Sequence, residues 1–252
     1  MKKNYIIALT LLFSSFLTLN AQNLWGVDAS IDLANAEFQN AFTETGTASN
    51  YSITNWTALS VSENGGTVTP GNAYWTRSLS GISQGDYVGD GFVINSPSQA
   101  NGVAIFDSDF MTSTGSSPST HKGELISPRI DLTGNTDVPL AVKFYRLFRT
   151  FEIAELSVSF SSDDGSTWGN SVSYIDGVGV NQPSPEGFKT LLLPTNSTEG
   201  VANLSQCRIK FTFNGNYYFA IIDDITIINA SSLSTFDVSA VKNDIVIYPN
   251  PA

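Results

Sequence analysis

The strongest fold signal in the chain is Phe211-Thr-Phe-Asn-Gly-Asn-Tyr-Tyr-Phe-Ala-Ile-Ile-Asp-Asp-Ile-Thr-Ile-Ile228. It predicts two strands joined at Asn214-Gly215, because an Asn-Gly pair between alternating apolar residues favours a tight hairpin. Alternation in the second strand puts Asp223 on one face with four apolar side chains: Phe219, Ile221, Ile225 and Ile227. A carboxylate in such a row needs hydrogen bonds, a cation or a metal ion. The stretch therefore predicts an all-β module with an acidic site on its last strand.

Other segments show the same two-residue period. Residues 142–148 place two phenylalanines and a valine on the face that also carries Arg146, and residues 154–161 alternate apolar residues with serines that should face solvent. Residues 102–110 predict a strand with Asp107 and Asp109 on one face, and no stretch between Asn23 and Ile228 has helical periodicity with caps. Strand patterns recur roughly every 8 to 15 residues with turn clusters between them, which is typical of a jelly-roll β-sandwich.

The N-terminus has the pattern of a secretory signal peptide. Lys2 and Lys3 precede an apolar run, and Ala21 supplies the small residue for cleavage, so we expect residues 1–21 to be removed. The apolar run is short for a spanning helix, and no transmembrane segment is expected in the mature protein. The formal net charge of the chain is −11, and loss of the two lysines makes it −13. Such a surface repels nucleic acid and anionic lipid and suits a neutral glycan, a cation or a basic protein surface.

The residues for common catalytic sites are too few. Cys207 is the only cysteine, so no intrachain disulfide can form, and its apolar alternating context predicts a buried thiol. His121 is the only histidine, in a Ser/Pro loop that we expect to face solvent, so His-based triads and common zinc sites lack parts. Glu152 and Glu155 would point to opposite faces of a strand, unlike a glycosidase pair. We predict no catalytic residue and no enzymatic activity.

Several motifs together resemble a known group of domains. They are Phe106-Asp-Ser-Asp109, Lys122-Gly-Glu-Leu-Ile-Ser-Pro-Arg-Ile-Asp-Leu132, Ser161-Ser-Asp-Asp-Gly-Ser-Thr-Trp168 and Phe219-Ala-Ile-Ile-Asp-Asp-Ile225. In this order they resemble the MAM-like and cleaved-adhesin-like jelly rolls (concanavalin-like β-sandwiches) of secreted Bacteroidota proteins, over roughly residues 102–228. The resemblance implies a non-catalytic domain for adhesion or glycan recognition, and several such domains hold calcium. The chain lacks the disulfides of eukaryotic MAM domains.

Two further segments have recognisable patterns. Asp244-Ile-Val-Ile-Tyr-Pro-Asn-Pro-Ala252 resembles the first strand of a type A sorting domain of the type IX secretion system, which implies export by that machinery. The organisation expected is therefore signal peptide 1–21, jelly roll 22–228, linker 229–243 and a truncated sorting-domain start at 244–252. Residues 161–168 also match the Asp-box turn of propellers, but the pattern occurs once and no blade repeat exists. We interpret it as a local turn with Trp168 packed beneath it.

The acidic residues predict a calcium site. Asp107, Asp109 and Asp223 are the main candidates, with Asp224 and Glu124 as weaker ones, because distant strands of a jelly roll can be neighbours. All-oxygen ligands favour Ca²⁺ over Zn²⁺, and the ion would be structural. The alternative is that each carboxylate caps a loop or pairs with a cross-strand arginine such as Arg146.

The function that these features favour is a secreted or cell-surface binding or adhesion module with a glycan or surface protein as partner. One alternative is an accessory domain of a secreted hydrolase, a peptidase or glycosidase, whose catalytic part lies outside this chain. Another is a structural surface protein without a specific ligand. Five aromatic residues could either stack on sugars or belong to the core: Trp75, Tyr145, Tyr174, Tyr217 and Tyr218.

Overall fold

The computed structural model describes residues 22–45, 47–48, 50–63, 73–85, 93–114, 120–194, 197–201 and 203–233. The expected signal peptide, most of the linker and the sorting-domain segment lie outside these residues. The strands are β1 Gln22–Gly26, β2 Thr43–Thr45, β3 Thr57–Glu63, β4 Thr76–Ser78, β5 Val103–Asp107, β6 His121–Ile126, β7 Leu140–Arg149, β8 Glu152–Ser161, β9 Val172–Ser173, β10 Gly187–Leu192, β11 Arg208–Asn216 and β12 Phe219–Asn229. Two short helices, α1 Leu33–Ala36 and α2 Ser108–Thr114, and the 3-10 turns Val27–Ala29, Gln99–Asn101 and Ala230–Ser232 complete the elements. None of these helices is long and apolar enough to cross a bilayer.

The strands form two facing sheets. Sheet A has the order β10-β7-β12-β5-β4, with β1 also paired to β12, and sheet B has the order β2-β3-β6-β11-β8-β9. Every pair between these strands is antiparallel except β2 with β3. The predicted all-β jelly-roll sandwich is confirmed.

The core lies between the two sheets. Its inward side chains alternate along β7, β8 and β11 as the sequence predicted, and the rings of Phe106 and Phe213 stack across the interface at 4.2 Å. Each fully buried phenylalanine contributes about 1.5–3 kcal/mol. Cys207 is a free buried thiol, as predicted, and burial raises its pKa to about 12. The sandwich is therefore held by packing in the part of the chain that the structure describes.

The predicted hairpin at Asn214-Gly215 is wrong. β11 continues to Asn216 in sheet B, whereas β12 begins at Phe219 in sheet A, so the chain crosses between sheets here. The crossing residues Tyr217 and Tyr218 both adopt left-handed backbone conformations, with φ of 59° and 52°. The Asn-Gly pair belongs instead to a bulge where β11 meets β8.

Gly215 is needed at that bulge for close approach. A Cβ atom there would lie 2.6 Å from the Cα of Ile153 and 2.9 Å from the carbonyl oxygen of Glu152. These are backbone atoms, which cannot move aside as a flexible side chain can. The glycine therefore permits the contact between β11 and β8 rather than a turn.

The predicted face of β12 is correct only in its first half. The pairing of β12 with β7 shifts between Asp223 and Thr226, and Asp224 has a left-handed φ of 50°. This bulge adds one residue and reverses the alternation. Before the bulge, Phe219 and Ile221 pack in a separate apolar cluster on the outer face of sheet A. After the bulge, Ile225 and Ile227 point into the core between the two sheets.

The segment 102–110 is a strand only as far as Asp107. Val103, Ile105 and Asp107 share the outer face of sheet A as predicted, but Asp109 lies in the first turn of α2. The carboxylate of Asp107 accepts a hydrogen bond from the backbone N–H of Phe110 at 3.1 Å, which caps the new helix. The prediction of no helix failed here because a seven-residue helix is too short to show periodicity.

Candidate functional site

The bulge in β12 places two carboxylates side by side in the protein interior. Asp223 and Asp224 are 0% and 1% exposed. The Ser96 hydroxyl donates to Asp223 Oδ2, and the Ser98 hydroxyl donates to the same oxygen at 3.1 Å. The Ser98 backbone N–H donates to Asp224 Oδ2 at 3.4 Å. The segment 96–98 thus closes over the bulge from the outer side of sheet A.

These contacts leave both carboxylates incompletely compensated. Among the described residues, neither Asp223 Oδ1 nor Asp224 Oδ1 has a hydrogen-bond partner, and neither carboxylate forms a salt bridge with a lysine or arginine. Burial raises the pKa of Asp223 to about 7, although the bond from Ser96 opposes it. Burial also raises the pKa of Asp224, and the negative charges of Glu37 and Asp28 add to that effect.

Two unpartnered buried oxygens are what a bound cation would satisfy. The two carboxylates and the two serine hydroxyls form an all-oxygen donor set, which fits Ca²⁺ better than Zn²⁺. Asp223 and Asp224 are therefore the predicted ligands whose surroundings best suit an ion.

Asp107 lies at the other end of the contact between β5 and β12. Asp107 pairs with Phe219, four residues from Asp223, which separates the two acids by roughly 13 Å along the strand. Its carboxylate accepts bonds from the Ser83 hydroxyl at 2.8 Å and the Gln84 N–H at 2.7 Å, while burial raises its pKa. The side chain of Asp109 is buried against Gly85.

Glu124 lies on the opposite sheet. Its carboxylate pairs with the Lys210 ammonium at 3.0 Å on the outer face of sheet B. Lys210 in turn lies 4.5 Å from the ring of Trp168.

The prediction that the serines of β8 face solvent is wrong for Ser157 and Ser159, which are buried beside Lys210 and Thr212 of β11.

The structure therefore does not bring the five predicted acids together. No group of three or more His, Cys, Asp or Glu side chains in the described ranges is arranged to hold one ion. Arg146, the alternative partner for the acids, pairs instead with Asp176 at 2.7 Å. Only the adjacent Asp223 and Asp224 remain a pair with unfilled bonding capacity.

A cleft of about 590 Å³ lies beside Asp107, between β4, β5 and α2. Its lining combines polar and apolar side chains, among them Glu44, Arg77, Gln84, Asp107, Tyr74, Leu79, Phe110 and Met111. The guanidinium of Arg77 donates to the backbone carbonyls of Phe38 and Asn101, so it also fixes the cleft wall. Phe110 and Leu79 are exposed and offer apolar surface to a ligand.

Comparisons with known proteins identify structural neighbours and no family. No family model matches the chain, and no curated protein matches it. The solved structure of TmCBM61 in complex with β-1,4-galactotriose is 12% identical, with a TM-score of 0.40, over 82% of this chain and 99% of its own. The K3 cleaved adhesin domain of Lys-gingipain from Porphyromonas gingivalis is 14% identical, with a TM-score of 0.39, over 77% of this chain and 97% of that domain. A putative sugar binding protein from Bacteroides thetaiotaomicron is 11% identical, with a TM-score of 0.40, over 82% of this chain and 100% of that protein.

All three TM-scores lie below 0.5, so the descriptions of the fold and of the site depend on the chain's own geometry.

The five aromatic candidates differ in their exposure. Trp75, Tyr174 and Tyr218 are buried, whereas Tyr145 and Tyr217 are half-buried. Two aromatic residues line the cleft, the buried Tyr74 and the exposed Phe110. Phe110 was missed because the strand prediction for residues 102–110 obscured the helix that carries it.

The prediction that His121 faces solvent is wrong. His121 begins β6, is 1% exposed, and its Nδ1 lies 2.8 Å from the Ser108 hydroxyl. Ser108 is also fully buried. A substrate therefore cannot reach either side chain of this pair in the described fold.

Proposed function

We propose that this chain is a non-catalytic binding or adhesion module that recognises a neutral glycan outside the cell. The observation that carries the proposal is the cleft beside Asp107. Its volume lies within the range of small-molecule sites, about 300–1,000 Å³. A cleft at the edge of a rigid sandwich also allows the end of a longer chain to enter.

The lining suits a sugar for two reasons. A sugar ring has C–H faces that pack on apolar surface, which Phe110 and Leu79 provide. Its hydroxyl groups need hydrogen-bonding partners, and the exposed amide of Gln84 in the lining supplies both a donor and an acceptor. The net charge of −11 disfavours anionic glycans.

A glycan array followed by calorimetric titration of the hits tests this proposal. Phe110→Ala is expected to weaken binding about tenfold, a loss of about 1.4 kcal/mol. Phe151→Ala is the matched control, since the two rings are 40% and 42% exposed and Phe151 does not line the cleft. An array without hits, or equal loss in both variants, would contradict a glycan site in the cleft.

We also propose that Ca²⁺ stabilises the module through Asp223 and Asp224. Their unpartnered Oδ1 atoms support this proposal. An ion that binds only the folded state raises the free energy of unfolding, by about 2.7 kcal/mol at a concentration one hundred times Kd. The expected result is a higher Tm in calcium than in chelator.

Asp223→Asn separates this role from simple burial. The variant should lose the calcium-dependent shift in Tm. In chelator it should be as stable as the wild type or more stable, because an uncompensated buried charge has been removed. Asp131→Asn, at an exposed carboxylate, should keep the full shift. Identical wild-type melting curves in calcium and in chelator, at matched ionic strength, would exclude the ion.

Export by a type IX-like system with loss of residues 1–21 completes the proposal. The basic start, apolar run and Ala21 support the signal peptide, and the resemblance of residues 244–252 supports the sorting domain. Peptide mass spectrometry of culture medium should find Gln22 at the N-terminus. A secreted chain that retains Lys2 and Lys3 would count against it.

A further inference from the structure

β10 forms one end of sheet A, and among the described strands only β7 pairs with it. The Leu193 N–H donates to the Leu140 carbonyl at 2.9 Å, and the register continues this pairing to Leu191 opposite Val142. In an antiparallel ladder, alternate residues bond to the same neighbour. The N–H and C=O groups of Phe188, Thr190 and Leu192 therefore point away from β7: no described strand pairs with that side.

The side chains at this edge are apolar or small. Phe188 and Leu192 are 48% and 38% exposed on the outer face, with Thr190 between them. Edge strands usually carry outward charges, prolines or bulges that discourage pairing with another chain. Lys189 would act in this way, but it points inward and already pairs with Asp176 at 3.0 Å.

We propose that β10 pairs antiparallel with β10 of a second copy of this chain, about a twofold axis at Thr190. In this register Phe188 lies opposite the partner's Leu192, and Thr190 lies opposite the partner's Thr190. All three opposed pairs involve the outward-pointing backbone groups, so each pair exchanges two hydrogen bonds. The two sheets A then form one continuous sheet across the dimer.

The second copy is the occupant because the edge is complementary to itself. A twofold interface requires that residue i contact residue j and that j contact i, which the Phe188–Thr190–Leu192 spacing satisfies. A shift by two residues in either direction would lose one opposed pair. The one charged side chain in β10, Lys189, is already paired with Asp176. The net charge of −11 makes two copies repel each other, and this repulsion is weaker at an edge without an unpaired charge.

Sedimentation equilibrium of the chain from Gln22 onward, over micromolar to near-millimolar concentrations, tests the dimer. The wild type should shift from monomer towards dimer, and more so at higher salt, because salt screens repulsion between acidic copies. Thr190→Pro removes an outward N–H without touching the β7 ladder, and should remain monomeric. Thr190→Val keeps the N–H and should dimerise like the wild type.

Circular dichroism and thermal melting would show whether the proline variant folds. If it does not, the pair Phe188→Glu with Leu192→Glu should abolish dimerisation through repulsion at the edge. A wild type that stays monomeric throughout the series overturns the proposal. So does a folded Thr190→Pro variant that dimerises as well as Thr190→Val.

Discussion

Asp164 shows how one side chain can hold distant loops together. It accepts bonds from the guanidinium groups of Arg129 and Arg208. Arg208 is 1% exposed and also donates to the carbonyls of Ser52 and Ser127. The turn that carries Asp164 is thus tied to two other loops, which gives the residues 161–168 a structural role.

Asp164→Asn should lower the free energy of unfolding on the order of 2 kcal/mol near neutral pH, because the buried Arg208 loses its counter-charge. Asparagine tolerates the left-handed φ of 61° at this position, so the substitution tests the charge rather than the backbone. Chemical denaturation measures the loss. Asp131→Asn, whose carboxylate accepts from the Thr133 N–H in its own turn, should be nearly neutral.

The pH dependence has a defined sign. The hydrogen bond from Arg129 lowers the pKa of Asp164 below its usual 3.8. Its contribution to stability is therefore complete above pH 3.8 and is lost as the pH falls through the lowered pKa. The difference between wild type and Asp164→Asn should shrink in that acid range. A difference that stays constant there would contradict an electrostatic role.

At the scale of elements, β11 and β12 show what alternation in a sequence can and cannot predict. It predicted both strands and the inward side of β11, because side chains alternate strictly in a regular strand. It could not predict the bulge at Asp223 and Asp224, since nothing in the local pattern marks an extra residue. It also could not tell a hairpin from a crossing between sheets, because both need a short connection.

Gly215→Ala tests the bulge in β11. The added Cβ would meet backbone atoms of Ile153 and Glu152 and should lower the free energy of unfolding by about 2 kcal/mol. Gly179→Ala is the control, because its Cβ would meet only the Cγ of Gln182 at 3.6 Å. Thermal melting of both variants measures the difference. Equal stability of the two would indicate that β8 and β11 can separate without cost.

At the scale of the whole molecule, the sequence predicted the class of fold and left the arrangement of the site open. Alternating segments and turn clusters sufficed for a two-sheet sandwich. The expected calcium site required Asp107 and Asp223 to converge, but strand order and register place them at opposite ends of one contact. The cleft depends on β4 and α2, which are too short to leave a periodic signal.

The pairing of β1 with β12, the first and last strands of the described residues, has a consequence for the order of events during synthesis. The Asp28 N–H donates to the Thr226 hydroxyl, 198 residues away, and β12 lies between β7 and both β1 and β5. At about 5–20 residues per second, a ribosome needs about 10–40 s to make the intervening chain. Sheet A lacks its middle strand throughout that interval. Until β12 has been made, β7 and β5 have no strand between them and β1 has no pairing partner, so sheet A can close only after about 220 residues of the chain have been synthesised.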